Sequence, residues 1–248
     1  MIDAISLSSV AERRFVGTIF NGSQYARTDF LGSDQSDRDT PQALLVEQMP
    51  ASHIPPHFHG IDQFQIVVDG RGMLGKHAVH PVCVHFSQAY TGYGPITAPE
   101  DTSLFYFTLR AQSEPGAFFL PEARDKQKSG RKRNLTVDVA TEGASSSAAS
   151  ELEAVIELES EGLAAWRLRL GAGETFEGPD PMSGGGQYYI VLDGELCYAQ
   201  SALEKWSCMF VTPPESSPKI TAGSEGAEAL ILQFPFWEKG TAQNVPEF

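Results

Sequence analysis

The sequence predicts an all-β protein in which one β-domain is written twice. Three observations carry that expectation. Short apolar runs rich in β-branched and aromatic residues alternate with clusters of Gly, Pro and Asp. No stretch of the first 110 residues holds a 3.6-residue period. Most tellingly, Asp62-Gln63-Phe64-Gln65-Ile66-Val67-Val68-Asp69-Gly70 recurs as Gly186-Gln187-Tyr188-Tyr189-Ile190-Val191-Leu192-Asp193-Gly194, an offset of 124 residues.

Taken in order, Arg14 to Phe20 reads as an opening strand. Residues 28–42, with Asp29, Asp34, Asp37 and Asp39, read as a loop. Ala43 to Met49 is the next strand, broken by Pro50-Ala51-Ser52. Apolar runs follow at 82–86 and 104–109. At the 124-residue offset Ile96-Thr97-Ala98 is matched by Ile220-Thr221-Ala222, and Phe105-Tyr106-Phe107 by Ala229-Leu230-Ile231. Leu45 to Met49 answers Trp166 to Leu170 at an offset of 121. Arg124 to Arg133 carries six of the 18 basic residues and reads as a solvated linker, and Ala144 to Ser150 as a flexible loop. The expected division is a first barrel over 1–120, a linker over 121–150 and a second barrel over 151–248.

Composition bounds the function. Hydrophobic content of 41% and charged content of 20% are those of a folded chain. A formal net charge of −14 disfavours nucleic acid and anionic membrane as partners. Cys83, Cys197 and Cys208 are too few and scattered for a disulfide framework, and read as reduced thiols of a cytoplasmic protein. No signal peptide is visible at the N-terminus, and no run of 18 apolar residues suggests a transmembrane helix. No phosphate loop, nucleophile elbow or paired-carboxylate signature appears.

The chemical signal lies in Pro55 to Gly70. Residues i and i+2 of a strand share a face, so His57 and His59 converge, and Gln63 on the following strand can meet them. Asp62, one residue out of phase with Gln63, should face away. All six histidines fall within residues 53–85. The second copy has Pro181 and Ser183, or Gly178 and Asp180, where the first has His57 and His59, so a histidine-based metal site is confined to the first copy.

This pattern resembles the cupin superfamily, specifically the bicupins. The first cupin motif is Gly, a short gap, His-x-His, three or four residues, Glu, six residues, Gly. His57, His59, Gln63 and Gly70 match its spacing, with Gln for Glu and Ala51 where the leading Gly is expected. The resemblance covers roughly residues 40–110 and 160–235 and implies two tandem jelly-roll β-barrels related by internal duplication. In the family's second motif the ligand position falls on Gly94 and Pro218, which have no side-chain donor.

By this resemblance the first barrel binds a divalent metal (Zn, Fe, Ni or Mn) through His57, His59 and Gln63, with His85 or His53 as a further ligand. Gln187 repeats Gln63 in the copy without histidine, which also fits a hydrogen-bonding role common to both barrels. Phe58, Phe64, Tyr90 and Tyr93 are expected to line a small-molecule pocket. Two readings stay open: a metal-dependent enzyme acting on a small organic molecule by dioxygenation, decarboxylation or isomerisation, and a non-catalytic binding or scaffold bicupin with a relic metal site. The partner expected is a small molecule, and a homodimer is expected because bicupins often assemble further.

Overall fold

The structure, a computed structural model, describes residues 1–32, 39–114 and 116–237. Its elements are overwhelmingly antiparallel strands, as the sequence predicts, and they divide into two compact units. One runs from Arg13 to Ala140; the other joins Met1–Glu12 to residues 141–237. Among the described residues no helix is long and apolar enough to cross a membrane.

In the first unit, among the described residues, the larger sheet has seven strands. Their order is Asn134–Asp138, Cys83–Ser87, Gln63–Gly70, Leu104–Arg110, Gln42–Gln48, Gln24–Leu31 and Arg14–Thr18. A second sheet of four short strands is built from His53–Ile54, Ile96–Thr97, Gly72–Leu74 and His77–Val79. A two-stranded ladder joins His57–Phe58 to Phe118–Phe119. Period-2 alternation sends one row of side chains inward, including Leu44, Val46, Val67, Leu104 and Tyr106, which pack with Leu74, Val79, Ile96 and Ala98.

In the second unit one sheet carries Ile2–Ile5, Cys208–Val211, Gln187–Tyr198, Lys219–Gln233, Ala164–Leu170 and Glu151–Ile156 in that order, with Thr175–Glu177 and Ser201–Glu204 attached. Its interior is filled by Leu168, Leu170, Tyr189, Val191, Met209, Ile231 and their neighbours.

The glycine of the repeated segment has a steric reason in both copies. Gly70 has φ +76° and Gly194 φ +69°, and an added Cβ would lie 1.9 Å from Ser103 O and 2.2 Å from Gly226 O respectively.

Several expectations need correction. Residues 1–12, expected in the first barrel, supply a strand to the second: Ile2–Ile5 pairs with Cys208–Val211. Residues 28–31, expected as loop, complete the Gln24–Leu31 strand, whose burial alternates too weakly for its period to be read; Asp34 and Asp37 lie outside the described residues. The 121–150 linker contains Asn134–Asp138, paired with Cys83–Ser87, and its basic segment is strapped onto the first unit. Lys128 and Lys132 sit over the Tyr90 ring, 4.8 and 5.6 Å from its centroid.

The repeat also shifts by one residue in two strands. Thr97 pairs with Met73 and Thr221 with Cys197, which keeps the offset of 124. Val67, however, pairs with Tyr106 while Val191 pairs with Ala229, making that offset 123. Leu45 then matches Arg167 at an offset of 122 rather than Trp166. The sheets carry register shifts at Phe105/Tyr106, Val191/Asp193 and Gly194/Leu196, and each bulge displaces a letter-by-letter alignment by a residue.

Candidate functional site

The His57–Phe58 ladder and the Gln63–Gly70 strand bring His57, His59 and Gln63 together inside the first barrel, where all three are buried. Tyr93 reaches the same point: its hydroxyl lies 2.8 Å from His57 Nε2 and 2.7 Å from Gln63 Nε2. Gly94, with φ +95°, sits beside it at the position where the second cupin motif would place a ligand.

Two further residues complete the cluster. Arg110 ends the strand Leu104–Arg110, and Glu114 follows four positions later; both are buried. The Arg110 guanidinium donates from Nε and Nη2 to Gln63 Oε1 at 2.9 and 2.6 Å, and from Nη1 to Gln42 Oε1. Nη2 also lies 3.1 Å from His59 Nε2. Glu114 accepts from Gly60 N at 2.7 Å and from His59 Nδ1 at 2.6 Å.

These contacts fix the protons. A carbonyl or carboxylate oxygen only accepts, so His57 Nδ1 donates to Pro55 O at 2.8 Å and His59 Nδ1 donates to Glu114. Both Nε2 atoms are therefore lone-pair acceptors. A directed chain results: Arg110 donates to Gln63, Gln63 to Tyr93, Tyr93 to His57, and His57 to Pro55.

Burial, together with neighbouring His59 and Arg110, pushes the His57 imidazole down to about 3. Burial and Arg110 also lower His59, against the pull of Glu114. Burial pushes Glu114 up, but the hydrogen bonds from His59 and Gly60 and the charges of His59 and Arg110 hold it below its ordinary value. Burial raises Tyr93. At neutral pH the cluster is two neutral imidazoles and a neutral phenol between one guanidinium and one carboxylate.

The cluster forms one wall of a cavity of about 180 Å³. Ile19, Leu44, Val46, Ile54 and Ile96 supply its apolar surface, with Gln65, Thr108, Tyr25 and Tyr106 as further polar or amphipathic lining.

Of the other expected site residues, Tyr93 lines this cavity and the rest do not. Phe58 and Phe64 are out of phase with His57 and Gln63 and pack on the other face, Phe58 stacked on Phe118 at 5.1 Å and Phe64 against Phe86 at 5.0 Å. Tyr90 is covered by the lysines of the basic strap. His85 points inward but bonds Thr136 Oγ1 at 2.9 Å, away from His57 and His59. His53 is exposed. Asp62 faces away, as expected, and accepts from Ala89 N at 2.8 Å.

As arranged, these residues do not fit a divalent metal. The three donors on offer are neutral, and a guanidinium already engages His59 Nε2 and Gln63 Oε1, the atoms a metal would need. No group of three or more His, Cys, Asp or Glu among the described residues could hold a metal ion. Arg110 was legible in principle, as a charged residue ending an apolar strand on its inward phase; Glu114 carries no local signal at all.

No family model and no curated protein matches the sequence. Similar solved structures place the fold. A protein of Nostoc punctiforme, given provisionally as a dioxygenase, matches with a TM-score of 0.67 at 11% identity over 97% of this chain and 85% of that one. Pirin YhhW of Escherichia coli, solved with nickel(II), gives 0.61 at 11% identity over 96% and 100%. Oxalate decarboxylase of Bacillus subtilis gives 0.56 at 11% identity over 91% and 78%. Across nearly its whole length, this chain has the two-barrel cupin fold.

Proposed function

We propose that the first barrel binds a compact, largely apolar small molecule without a metal, and that the second barrel supports it. The observation that carries this reading is the Arg110 guanidinium, hydrogen-bonded to Gln63 Oε1 and 3.1 Å from His59 Nε2. It places a protein-borne cation where a bound metal would lie, and so completes the polar cluster internally.

What remains for a ligand is the adjoining cavity of about 180 Å³. That is smaller than the roughly 300–1,000 Å³ of drug-sized sites. Its apolar residues supply burial, and Gln65, Thr108 and Tyr93 supply orientation. His57 and His59 hold the Tyr93 hydroxyl and the Arg110 guanidinium in place.

The test has two arms. Metal content of wild-type protein is measured after incubation with Ni(II), Mn(II) and Zn(II), alongside His57→Ala/His59→Ala. Thermal shift with small aromatic and aliphatic alcohols is then measured on wild type and on Leu44→Trp, which puts the second barrel's Trp166 at its matching position in the first. The expected result is no histidine-dependent metal and alcohol stabilisation that Leu44→Trp removes. Stoichiometric metal lost in the histidine variant would replace this reading with that of a metal centre. Stabilisation that persists in a folded Leu44→Trp protein would put the ligand outside the cavity.

A further inference from the structure

We propose that Gln65 and His85 hold one buried water molecule, and that this water is the polar link between two clefts of the first barrel, the one beside His57 and Arg110 and the one beside His77 and Asn134. The two residues are directly opposed on the strands Gln63–Gly70 and Cys83–Ser87, so their side chains share the inward face. Gln65 Oε1 and His85 Nε2 are both buried, and neither has a hydrogen-bond partner within the protein among the described residues. Two such atoms side by side are costly unless something bonds to both.

The space between them suits one water. Both residues line a small cavity of about 10 Å³ whose other walls include Val67, Leu74, Val79 and Leu104. One water needs on the order of 10–15 Å³ by this measure, and two to four polar partners. The His85 ring is already committed through Nδ1 to Thr136 Oγ1 at 2.9 Å. Its Nε2 is left for a single partner, and a water bridging to Gln65 Oε1 satisfies both atoms.

Position gives the water its role. Gln65, Ile96 and Tyr106 also line the cavity beside His57 and Arg110. His85 and Leu74 also line a second cleft, with Lys76, His77 and Asn134. The water site therefore lies between the two, in a wall otherwise made of aliphatic side chains, Cys83 and Tyr106. In the second barrel the matching cross-strand pair is Tyr189 and Met209, which belong to its filled core, so this step exists in one barrel only.

A high-resolution crystal structure tests the site: one water within hydrogen-bonding distance of both atoms is expected. A dry cavity, or side chains turned so that Gln65 and His85 bond each other, overturns the proposal. The route is tested by NMR hydrogen exchange of the Gln63 side-chain amide and the Arg110 Nε–H, in wild type and in Gln65→Leu/His85→Met. Exchange slower by about tenfold, with backbone protection unchanged, is expected. Equal rates overturn the route. Should the double variant not fold, Gln65→Leu alone gives the same reading with a smaller effect. None of these outcomes depends on which ligand the cavity takes.

Discussion

The two barrels carry matching strands but differ in what they enclose. Where the first has His57, His59, Gln65 and Arg110, the second has Pro181, Ser183, Tyr189 and Gln233. In the second, Gln187 Nε2 donates to Gln233 Oε1 at 2.8 Å, Ser183 Oγ donates to the same oxygen at 3.0 Å, and Gln233 Nε2 donates to Gly162 O at 2.8 Å. Tyr189 fills the interior and caps Gln187 Oε1 at 3.2 Å. The second barrel thus closes its polar layer with neutral amides and packs the rest. The first closes the same layer with a buried charge and keeps a cavity. A duplicated scaffold can spend one copy on stability and leave the other hollow.

If that contrast is right, the largest stability effect lies at Glu114. Glu114→Ala removes the carboxylate whose charge acts on Arg110 and the side-chain acceptor of His59 Nδ1 and Gly60 N. Removing one partner of a buried charged network costs roughly 3–5 kcal/mol. Chemical denaturation of the variant should show it; a loss under about 1 kcal/mol, the scale of an exposed ion pair, would mean that Glu114 is solvated.

Next come paired truncations. Leu168→Ala in the filled barrel should cost about 2–5 kcal/mol. Leu44→Ala, at the wall of an existing cavity, should cost about half as much, because fewer packed contacts are lost there. Equal losses in the two denaturation curves would contradict the hollow-against-filled contrast.

Acid separates the barrels without mutation. His57, held near 3, and His85, held near 4 by burial, stay neutral in the folded state while the unfolded chain protonates them below about 6.5. The unfolded state then binds more protons, so stability is full above about pH 6.5 and falls as pH drops towards 4. For His57 the loss is about 3 kcal/mol at pH 4. The second barrel has no histidine, and all three tryptophans (Trp166, Trp206 and Trp237) lie in that unit. Far-UV circular dichroism should therefore detect a melting transition that moves down between pH 7 and 4, ahead of the one reported by tryptophan fluorescence. A single coincident transition at every pH would remove the distinction.

A further contrast is expected at the shared amide. Gln187→Leu should cost about 1–3 kcal/mol through unpaired buried partners. Gln63→Leu should cost more, because it also strips Arg110 of an acceptor. The reverse order would argue against a structural role for Arg110.

Much of this was legible in the sequence, for physical reasons. Strands with one buried face write a period of two, and the repeat of Gln63-to-Gly70 in Gln187-to-Gly194 announces the duplication because the glycine is sterically required in both. The His57, His59 and Gln63 constellation could be read because its members lie within seven residues. Arg110 shows only as a charge on the inward phase of an apolar strand, and its site partners are set by cross-strand pairing; Glu114 reaches the site through a loop and carries no local signal. Phe58 and Phe64 pack on the far side from the cavity because adjacency in sequence puts neighbours on opposite faces of a strand. The offsets of 123 and 122 were hidden by bulges, which leave no mark on composition.

The most direct measurement is ¹⁵N NMR of the His57 and His59 imidazoles in wild-type protein, before and after one equivalent of Zn(II). The expected spectrum shows two neutral rings protonated at Nδ1, unchanged by zinc, with the Arg110 Nε–H resonance still in place. Zinc-induced shifts of both Nε2 resonances, together with loss of the Arg110 signal from its bonded position, would contradict the claim that the guanidinium holds the metal position.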